Sequence, residues 1–283
     1  MSNNSARGAE ALSQLERELK SRDRKEKARP LGVVAMSLIA ILAIVGGIWF
    51  AATRSNDEDP VVAEESSAAP TTEAEAVALT GKRATALEDT VTCDYSSDGQ
   101  DNNGAKVPSG DKISAKGTVD VTFKTSQGDI GMTLDRSLAP CTVNAITELA
   151  KQGYYDGSVC HRMTSGVLNV LQCGDPSGTG SGTPGFQFAN EYPTDEADGE
   201  GSAQTVVYPK GSIAMANAGV DTNGSQFFIN YDDSELAPDY TYFGNLTDKG
   251  QATLDKIAEK GVEGGSADGA PAEEVKIESV SVA

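Results

Sequence analysis

The sequence predicts a mainly β domain, an antiparallel barrel with helices closing its ends, preceded by a single transmembrane helix and a disordered tether. Three observations predict it. Short alternating segments recur after residue 117, only two segments there have helical periodicity, and residues 31–52 carry no charge. We therefore divide the chain into a cytoplasmic tail (1–30), a transmembrane helix (31–52), a disordered acidic linker (53–88), an irregular cysteine-containing extension (89–116) and a folded domain (117–283).

The segment LGVVAMSLIAILAIVGGIWFAA, residues 31–52, is long enough to cross a membrane. As a helix it would span roughly 33 Å at about 1.5 Å per residue, against a hydrocarbon core of ~30 Å. Basic residues precede it and acidic residues follow, so the positive-inside rule predicts a cytoplasmic N-terminus and an extracytoplasmic domain in the cell membrane. A cleaved signal peptide is the alternative, because Ala51 and Ala52 are small residues of the kind found at cleavage sites.

The charge of the chain is unevenly distributed. The net charge is −19, with +3 on residues 1–52 and −22 on the remainder. An acidic domain lacks the basic footprint that nucleic acids require, so we expect no nucleic-acid partner. Residues 53–88 are rich in Ala, Glu, Ser, Thr and Pro, a composition that cannot bury a core and predicts a disordered linker.

The folded domain begins with a hairpin. TVDVTFKT (118–125) alternates apolar and polar residues, and Ile130, Met132 and Leu134 alternate in the next strand. Pro140 then begins a helix that Gly153 ends, with one apolar face formed by Val143, Ile146, Leu149 and Ala150. The later elements are strands at SVCHRM, VLNVLQC, GSIAMAN, SQFFIN and TYFGNL, a helix at QATLDKIAEKG and a last strand at EEVKIESVSV.

His161, the only histidine, stands between Cys160 and Cys173 and invites a metal or nucleophile interpretation. Adjacent strand residues point to opposite faces, however, so Cys160 and His161 cannot act together. The cysteines also lack paired C-x-x-C spacing, so we predict no metal site and no cofactor, with His161 a buried neutral side chain. The glycines of 180–185 match a dinucleotide motif formally, but no helical pattern follows them, which predicts a simple loop.

All four cysteines follow the apolar segment, where an oxidising compartment is expected. An even number there predicts two disulfides, with four buried thiols as the alternative. The residues concerned are Cys93, Cys141, Cys160 and Cys173.

Several stretches, taken together, resemble the cyclophilin family of peptidyl-prolyl isomerases over residues 117–283. They are AP-TVNAITELA-GYYDG around 139–157, HR, QCGDPSGTGSGTPG, GSIAMANAGVDTNGSQFFI and YFGNL. The layout is similar to that of membrane-anchored actinobacterial cyclophilins. The resemblance implies an eight-stranded antiparallel barrel capped by two helices, and accelerated Xaa-Pro rotation in proline-containing polypeptides.

The resemblance also implies roles for individual residues. Arg162 would donate to the proline nitrogen in the twisted state, and Gln172 would orient Arg162 and the substrate. The remaining positions imply a substrate-binding groove with Phe228 as its floor, together with Val170, Ala216, Asn217, Leu236 and Tyr240. A binding module or holdase with this fold but little catalysis is the alternative function.

Four departures from the family's pattern predict a shallower, more polar pocket. Nine residues separate Arg162 from Gln172, a longer hairpin than is usual in the family. The pocket phenylalanine aligns with Asn169, unless the gap places Leu168 there. Glu235 replaces an aromatic residue, which implies weak binding of cyclosporin-like drugs, and Tyr240 replaces a histidine.

If Arg162 and Gln172 both face the groove, the resemblance also bears on the disulfides. Cys160 would share the face of Arg162, and Cys173 would point inward beside Gln172. We therefore expect the pairs Cys93–Cys160 and Cys141–Cys173, and disfavour a Cys160–Cys173 bridge.

Overall fold

The structure is a computed structural model that describes residues 76–197 and 205–283. It contains helices α1 (Pro140–Lys151) and α2 (Asp248–Lys260). Its strands are β1 (Val77–Ala78), β2 (Thr90–Val91), β3 (Ser96–Ser97), β4 (Ile113–Ser114), β5 (Thr118–Thr125), β6 (Gly128–Asp135), β7 (Arg162–Thr164), β8 (Val170–Cys173), β9 (Phe186–Gln187), β10 (Val206–Tyr208), β11 (Ser212–Met215), β12 (Phe227–Asn230), β13 (Ser234–Leu236), β14 (Tyr242–Leu246), β15 (Asp268–Gly269) and β16 (Ile277–Val282).

The predicted tail, the predicted transmembrane helix at 31–52 and the linker up to residue 75 lie outside the described residues. Among the residues that are described, no helix combines the length and apolarity that crossing a bilayer requires.

A curled antiparallel sheet of nine strands forms the body of the domain, in the order β15-β7-β8-β12-β11-β14-β6-β5-β16. Its two ends approach each other, because Cys160 N donates to Val275 O and Gly157 N donates to Ile277 O. The resemblance implied eight strands. The ninth is β15, a two-residue strand that follows α2 and pairs with the edge of β7.

The predicted hairpin and helices occupy their expected places. In β5 and β6 the alternating apolar side chains are buried, as the pattern requires. Helix α1 begins at Pro140 and buries its predicted apolar face. Helix α2 begins after Thr247, whose side chain accepts from Gly250 N, and ends at Gly261, whose positive φ of 77° favours glycine.

Residues 76–88, the first that the structure describes, differ from the prediction that the linker is disordered up to residue 88. Val77 pairs with Val206, so β1 adds a parallel strand to β10 and β13. Arg83 has a side chain only 6% exposed and donates to Leu138 O. Both contacts are made with residues far along the chain. Local composition carries no information on such contacts, so it predicted disorder.

The disulfide pairing also differs from the prediction. The bonds join Cys93 to Cys141 and Cys160 to Cys173, whose Cα atoms are 5.4 and 4.0 Å apart. The expected pairing extended strand alternation back to Cys160, but β7 begins only at Arg162. Since alternation holds only within a strand, Cys160 is free to turn towards Cys173.

The bond from Cys93 fastens the extension to the start of α1. Tyr95 strengthens this attachment, because its hydroxyl donates to Cys141 O at 2.8 Å and accepts from Asn144 Nδ2 at 2.9 Å. Its ring also meets Phe186 and Phe188 edge-on. The irregular extension is therefore a packed part of the domain.

A buried carboxyl, that of Glu191, caps the N-terminus of α1. It accepts from Cys141 N at 3.0 Å and from Thr142 N and Oγ1 at 2.8 and 2.7 Å. Burial raises the pKa of Glu191 to about 7, and the hydrogen bonds from Cys141 and Thr142 oppose this shift. The folded state therefore retains a proton that the unfolded chain releases at lower pH.

We expect the free energy of unfolding to fall by roughly 1–3 kcal/mol from this group as pH rises from about 4.5 to 7. The pKa of Glu191 is higher in the folded state than in the unfolded state. Its contribution to the free energy of unfolding is therefore fully present below the unfolded pKa and is lost as pH rises through the folded pKa. Urea unfolding of wild type and Glu191→Gln between pH 4.5 and 8 measures how steeply the free energy of unfolding of each protein changes with pH. Identical slopes in the two proteins would contradict this expectation.

Candidate active site

Three adjacent strands place the candidate residues on one face. Arg162 in β7 lies opposite Gln172 in β8, and Gln172 lies opposite Phe228 in β12. Directly opposed residues of an antiparallel sheet project to the same side, so the register aligns a cation, an amide and an aromatic ring. The β7–β8 hairpin fixes Arg162 opposite Gln172, and the pairing of β8 with β12 fixes Phe228 opposite Gln172.

A cavity of about 180 Å³ lies over this row of side chains. It brings together every residue that the resemblance assigned to catalysis or substrate binding, and adds Leu168. The lining consists of Arg162, Leu168, Val170, Gln172, Ala216, Asn217, Phe228, Leu236 and Tyr240.

Two of the uncertain pocket residues, Asn169 and Glu235, do not line this cavity. The Asn169 side chain folds back on its own hairpin, accepting from Gly166 N and donating to Gly166 O, both at 3.1 Å. Leu168 takes the place in the cavity instead. Glu235 is exposed on β13, next to Leu236.

Aromatic side chains form an apolar base. The Phe228 ring meets Tyr240 edge-on with centroids 5.5 Å apart, and meets Tyr208 at 6.3 Å. Phe228 lines the cavity although only 5% of it is exposed, so most of its side chain is packed in the core. Such a base suits a compact apolar ring held edge-on or face-on.

A polar network fixes Arg162 at the other side of the cavity. Its Nε and Nη2 donate to the two carboxylate oxygens of Asp268 at 2.8 and 2.7 Å. Its Nη1 donates to Gln172 Oε1 at 3.3 Å, and Gln172 Nε2 donates to Gln226 Oε1 at 3.0 Å. Hydrogen bonding by Arg162 lowers the pKa of Asp268 below its ordinary value, so this carboxyl is ionised at neutral pH.

The glycine-rich loop packs against this network. Gln226 Nε2 donates to Gly180 O at 3.0 Å and Gly182 O at 3.1 Å. The buried Asp175 carboxylate accepts from Ser177 N and Gly180 N and so holds the loop shape. The segment after the loop, Phe186–Gln187, is a strand rather than a helix, in line with the lack of a helical pattern there in the sequence.

His161 differs in part from its prediction, because it is half-buried rather than buried. Burial lowers its pKa, which keeps the ring neutral at pH 7. Cys160 is held in a disulfide and offers no thiolate. Across the described parts of the chain, no three His, Cys, Asp or Glu side chains are grouped as metal ligands would be.

Two members of the network were missed by sequence reasoning. Gln226 stands within the quoted motif GSQFFI, so the resemblance offered a signal for it. Asp268 had none, since it lies 106 residues from Arg162 in a short turn-rich segment. Only the pairing of β15 with β7 brings it to the site.

A family model described as cyclophilin type peptidyl-prolyl cis-trans isomerase matches residues 118–282. A probable peptidyl-prolyl cis-trans isomerase B of Mycobacterium tuberculosis is 55% identical over 165 residues, which cover 57% of this chain and 54% of the relative. The corresponding protein of Mycobacterium leprae is 51% identical over 166 residues, covering 58% and 56%.

A shorter relative is matched over more of its length. A peptidyl-prolyl cis-trans isomerase of Helicobacter pylori is 39% identical over 142 residues, which cover 50% of this chain and 80% of the relative. The chain spans about half the length of the mycobacterial relatives that it matches. Since the family model extends over more than half of the sequence, the chain belongs to the cyclophilin-type peptidyl-prolyl cis-trans isomerase family.

Proposed function

We propose that this protein is a peptidyl-prolyl cis-trans isomerase that accelerates Xaa-Pro rotation in extracytoplasmic polypeptides close to the membrane. The observation that carries this proposal is the 180 Å³ cavity, which combines a guanidinium at one side with an aromatic base at the other. Family membership supports the same reaction.

The reaction needs no nucleophile, because no covalent bond is made or broken. Amide resonance sets a barrier of ~18–20 kcal/mol to rotation. Shortening a step of tens of seconds to milliseconds takes about 6–7 kcal/mol of preferential binding to the twisted state. The chain must therefore hold the proline ring and stabilise the charge that changes as the bond twists.

Arg162 supplies this stabilisation in our proposal. When the amide twists, the proline nitrogen regains a lone pair that the planar bond lacks. An N–H of Arg162 donates to that lone pair, an interaction available only in the twisted state. Phe228 and Leu168 receive the proline ring, while Gln172 holds the guanidinium from the neighbouring strand.

The location of the reaction rests on the sequence. The apolar residues 31–52, the basic flank before them and the acidic residues after them support a single-pass membrane protein with an extracytoplasmic domain. The disulfides Cys93–Cys141 and Cys160–Cys173 are consistent with an oxidising compartment. Proline-containing polypeptides there are the proposed substrates.

A binding module or holdase is the second candidate function. The family's pattern has aromatic residues at the positions of Asn169 and Glu235, and neither of these two residues lines the cavity. The lack of these aromatic contacts favours a protein that binds peptides with little catalysis. A pocket lined by Leu168 instead offers less aromatic contact. Glu235 is exposed on β13, outside the cavity, which supports weak binding of cyclosporin-like drugs.

The two functions are distinguished by a protease-coupled assay on an Ala-Pro peptide with the full chain in a mild detergent. An isomerase increases the rate of cis-to-trans conversion in proportion to protein concentration. A holdase binds the peptide without accelerating conversion, and that result would overturn the proposal.

Leu168→Ala tests whether Leu168 forms a wall of the pocket. Removal of its apolar contact with the proline ring raises KM by roughly three- to tenfold, with little change in kcat, because the contact is equal in the planar and twisted states. Val167→Ala is the matched control, since Val167 is adjacent but 83% exposed. Equal effects of the two substitutions would exclude Leu168 from the pocket.

A further inference from the structure

One edge of the Arg162 guanidinium is occupied by a carboxylate from a distant part of the chain. Asp268 accepts from Nε at 2.8 Å and from Nη2 at 2.7 Å, a bidentate arrangement. We infer that Asp268 is a positioning residue that holds Arg162 with its remaining N–H groups available to the cavity. This inference rests on the proposed isomerase function and concerns the same site.

The hydrogen-bond inventory of Arg162 supports this role. A guanidinium has five N–H groups. Two donate to Asp268 and one of those on Nη1 donates to Gln172 Oε1. One N–H on Nη1 and one on Nη2 are left for a ligand. Because the guanidinium is planar, its two hydrogen bonds to Asp268 also fix the direction of these remaining N–H groups.

Asp268 is itself held in place by its backbone. Strand β15 pairs Asp268 with Thr164, two residues beyond Arg162 on β7. Ser165 N donates to Ala267 O at 2.9 Å, and Ser266 Oγ donates to Asp268 O at 2.8 Å. The carboxylate therefore projects from a fixed position on the neighbouring strand and restricts the Arg162 side chain from behind.

The expected contribution is modest because the pair is accessible to water. The Arg162 and Asp268 side chains are 40% and 56% exposed. Exposed ion pairs change an equilibrium by no more than about fivefold, and salt weakens them. Loss of the carboxylate leaves the cation present but less ordered, so we expect a fall in kcat rather than in substrate affinity.

The test measures kcat and KM for wild-type full chain and for Asp268→Ala, Asp268→Asn and Asp268→Glu. Asp268→Ala lowers kcat about two- to fivefold with KM within twofold, and Asp268→Glu recovers at least half of the loss. Glu273→Ala is the matched control, because Glu273 is also half exposed and pairs with Lys260 at 2.6 Å. It removes the same charge and leaves kcat unchanged.

A spectroscopic readout reports the positioning directly. In ¹⁵N-labelled protein the Arg162 Nε–H signal is protected from exchange with water, and Asp268→Ala abolishes this protection while Glu273→Ala does not. Asp268→Asn keeps the volume of the side chain, so it reports on the charge even where Asp268→Ala affects folding.

Three outcomes would overturn the inference. Asp268 variants with wild-type kcat and an unchanged Nε–H signal would show that the pair has no positioning role. A rise in kcat in Asp268→Ala would show that the carboxylate holds the guanidinium away from its productive position. A wild-type protein without isomerase activity would overturn the proposed function and this inference together, and so is distinguished from the first two.

Discussion

Arg162→Ala lowers kcat/KM for an Ala-Pro peptide by about 10²–10³-fold, the range found when one preorganised donor is removed from a catalytic site. The expected loss lies in kcat, because the guanidinium meets the proline nitrogen only when the bond is twisted. The apolar base formed by Phe228 and its neighbours stays intact, so peptide binding is retained. Protease-coupled kinetics with the full chain measure both parameters.

Two further variants separate geometry from charge. Arg162→Lys keeps a positive charge but loses the planar fork that Asp268 and Gln172 grip, and recovers no more than about tenfold of the loss. Arg136→Ala removes an arginine that lines a separate cavity and leaves the kinetics unchanged. Full activity in Arg162→Ala would remove this residue from the mechanism.

The double substitution Cys93→Ser/Cys141→Ser lowers the free energy of unfolding by about 4 kcal/mol, the chain-entropy value for a loop of this length. The bond closes a separation of 48 residues and anchors the extension to α1. Equilibrium urea unfolding monitored by circular dichroism measures the change. The cavity is formed by other elements, so kcat at low temperature is little affected.

The second disulfide provides the matched comparison. Cys160→Ser/Cys173→Ser opens a separation of only 13 residues and lowers the free energy of unfolding by about 3 kcal/mol. Cys173 is adjacent to Gln172, so this variant also lowers kcat, whereas the first does not. A larger loss of stability from the shorter loop would contradict the entropic account.

Local patterns predicted the elements that depend on local chemistry. Alternation located β5 and β6, and Pro140 located the start of α1, because side-chain direction and backbone propensity are properties of neighbouring residues. The resemblance selected the residues that the fold brings together around the cavity. Sequence motifs can identify these residues because the spacing within a hairpin decides which residues lie opposite each other on its two strands.

Contacts between distant segments were beyond the reach of those patterns. The Cys160–Cys173 bond was missed because strand alternation does not extend past the end of β7 at Arg162. Leu168 and Asn169 differ by one position in a loop, where no period decides which side chain enters the cavity. Asp268 reaches Arg162 only through the pairing of two edge strands.

We expect Arg162 to accelerate the isomerisation of a bound peptide and to have little effect on peptide binding itself. Exchange NMR spectroscopy on an Ala-Pro peptide, with wild type and Arg162→Ala at peptide concentrations above Kd, measures binding and the cis/trans exchange rate in the same sample. We predict similar Kd values for both proteins, rapid exchange with wild type and exchange reduced about 10²-fold or more with Arg162→Ala. Equal exchange rates in the two proteins, or binding without exchange in wild type, would contradict the claim.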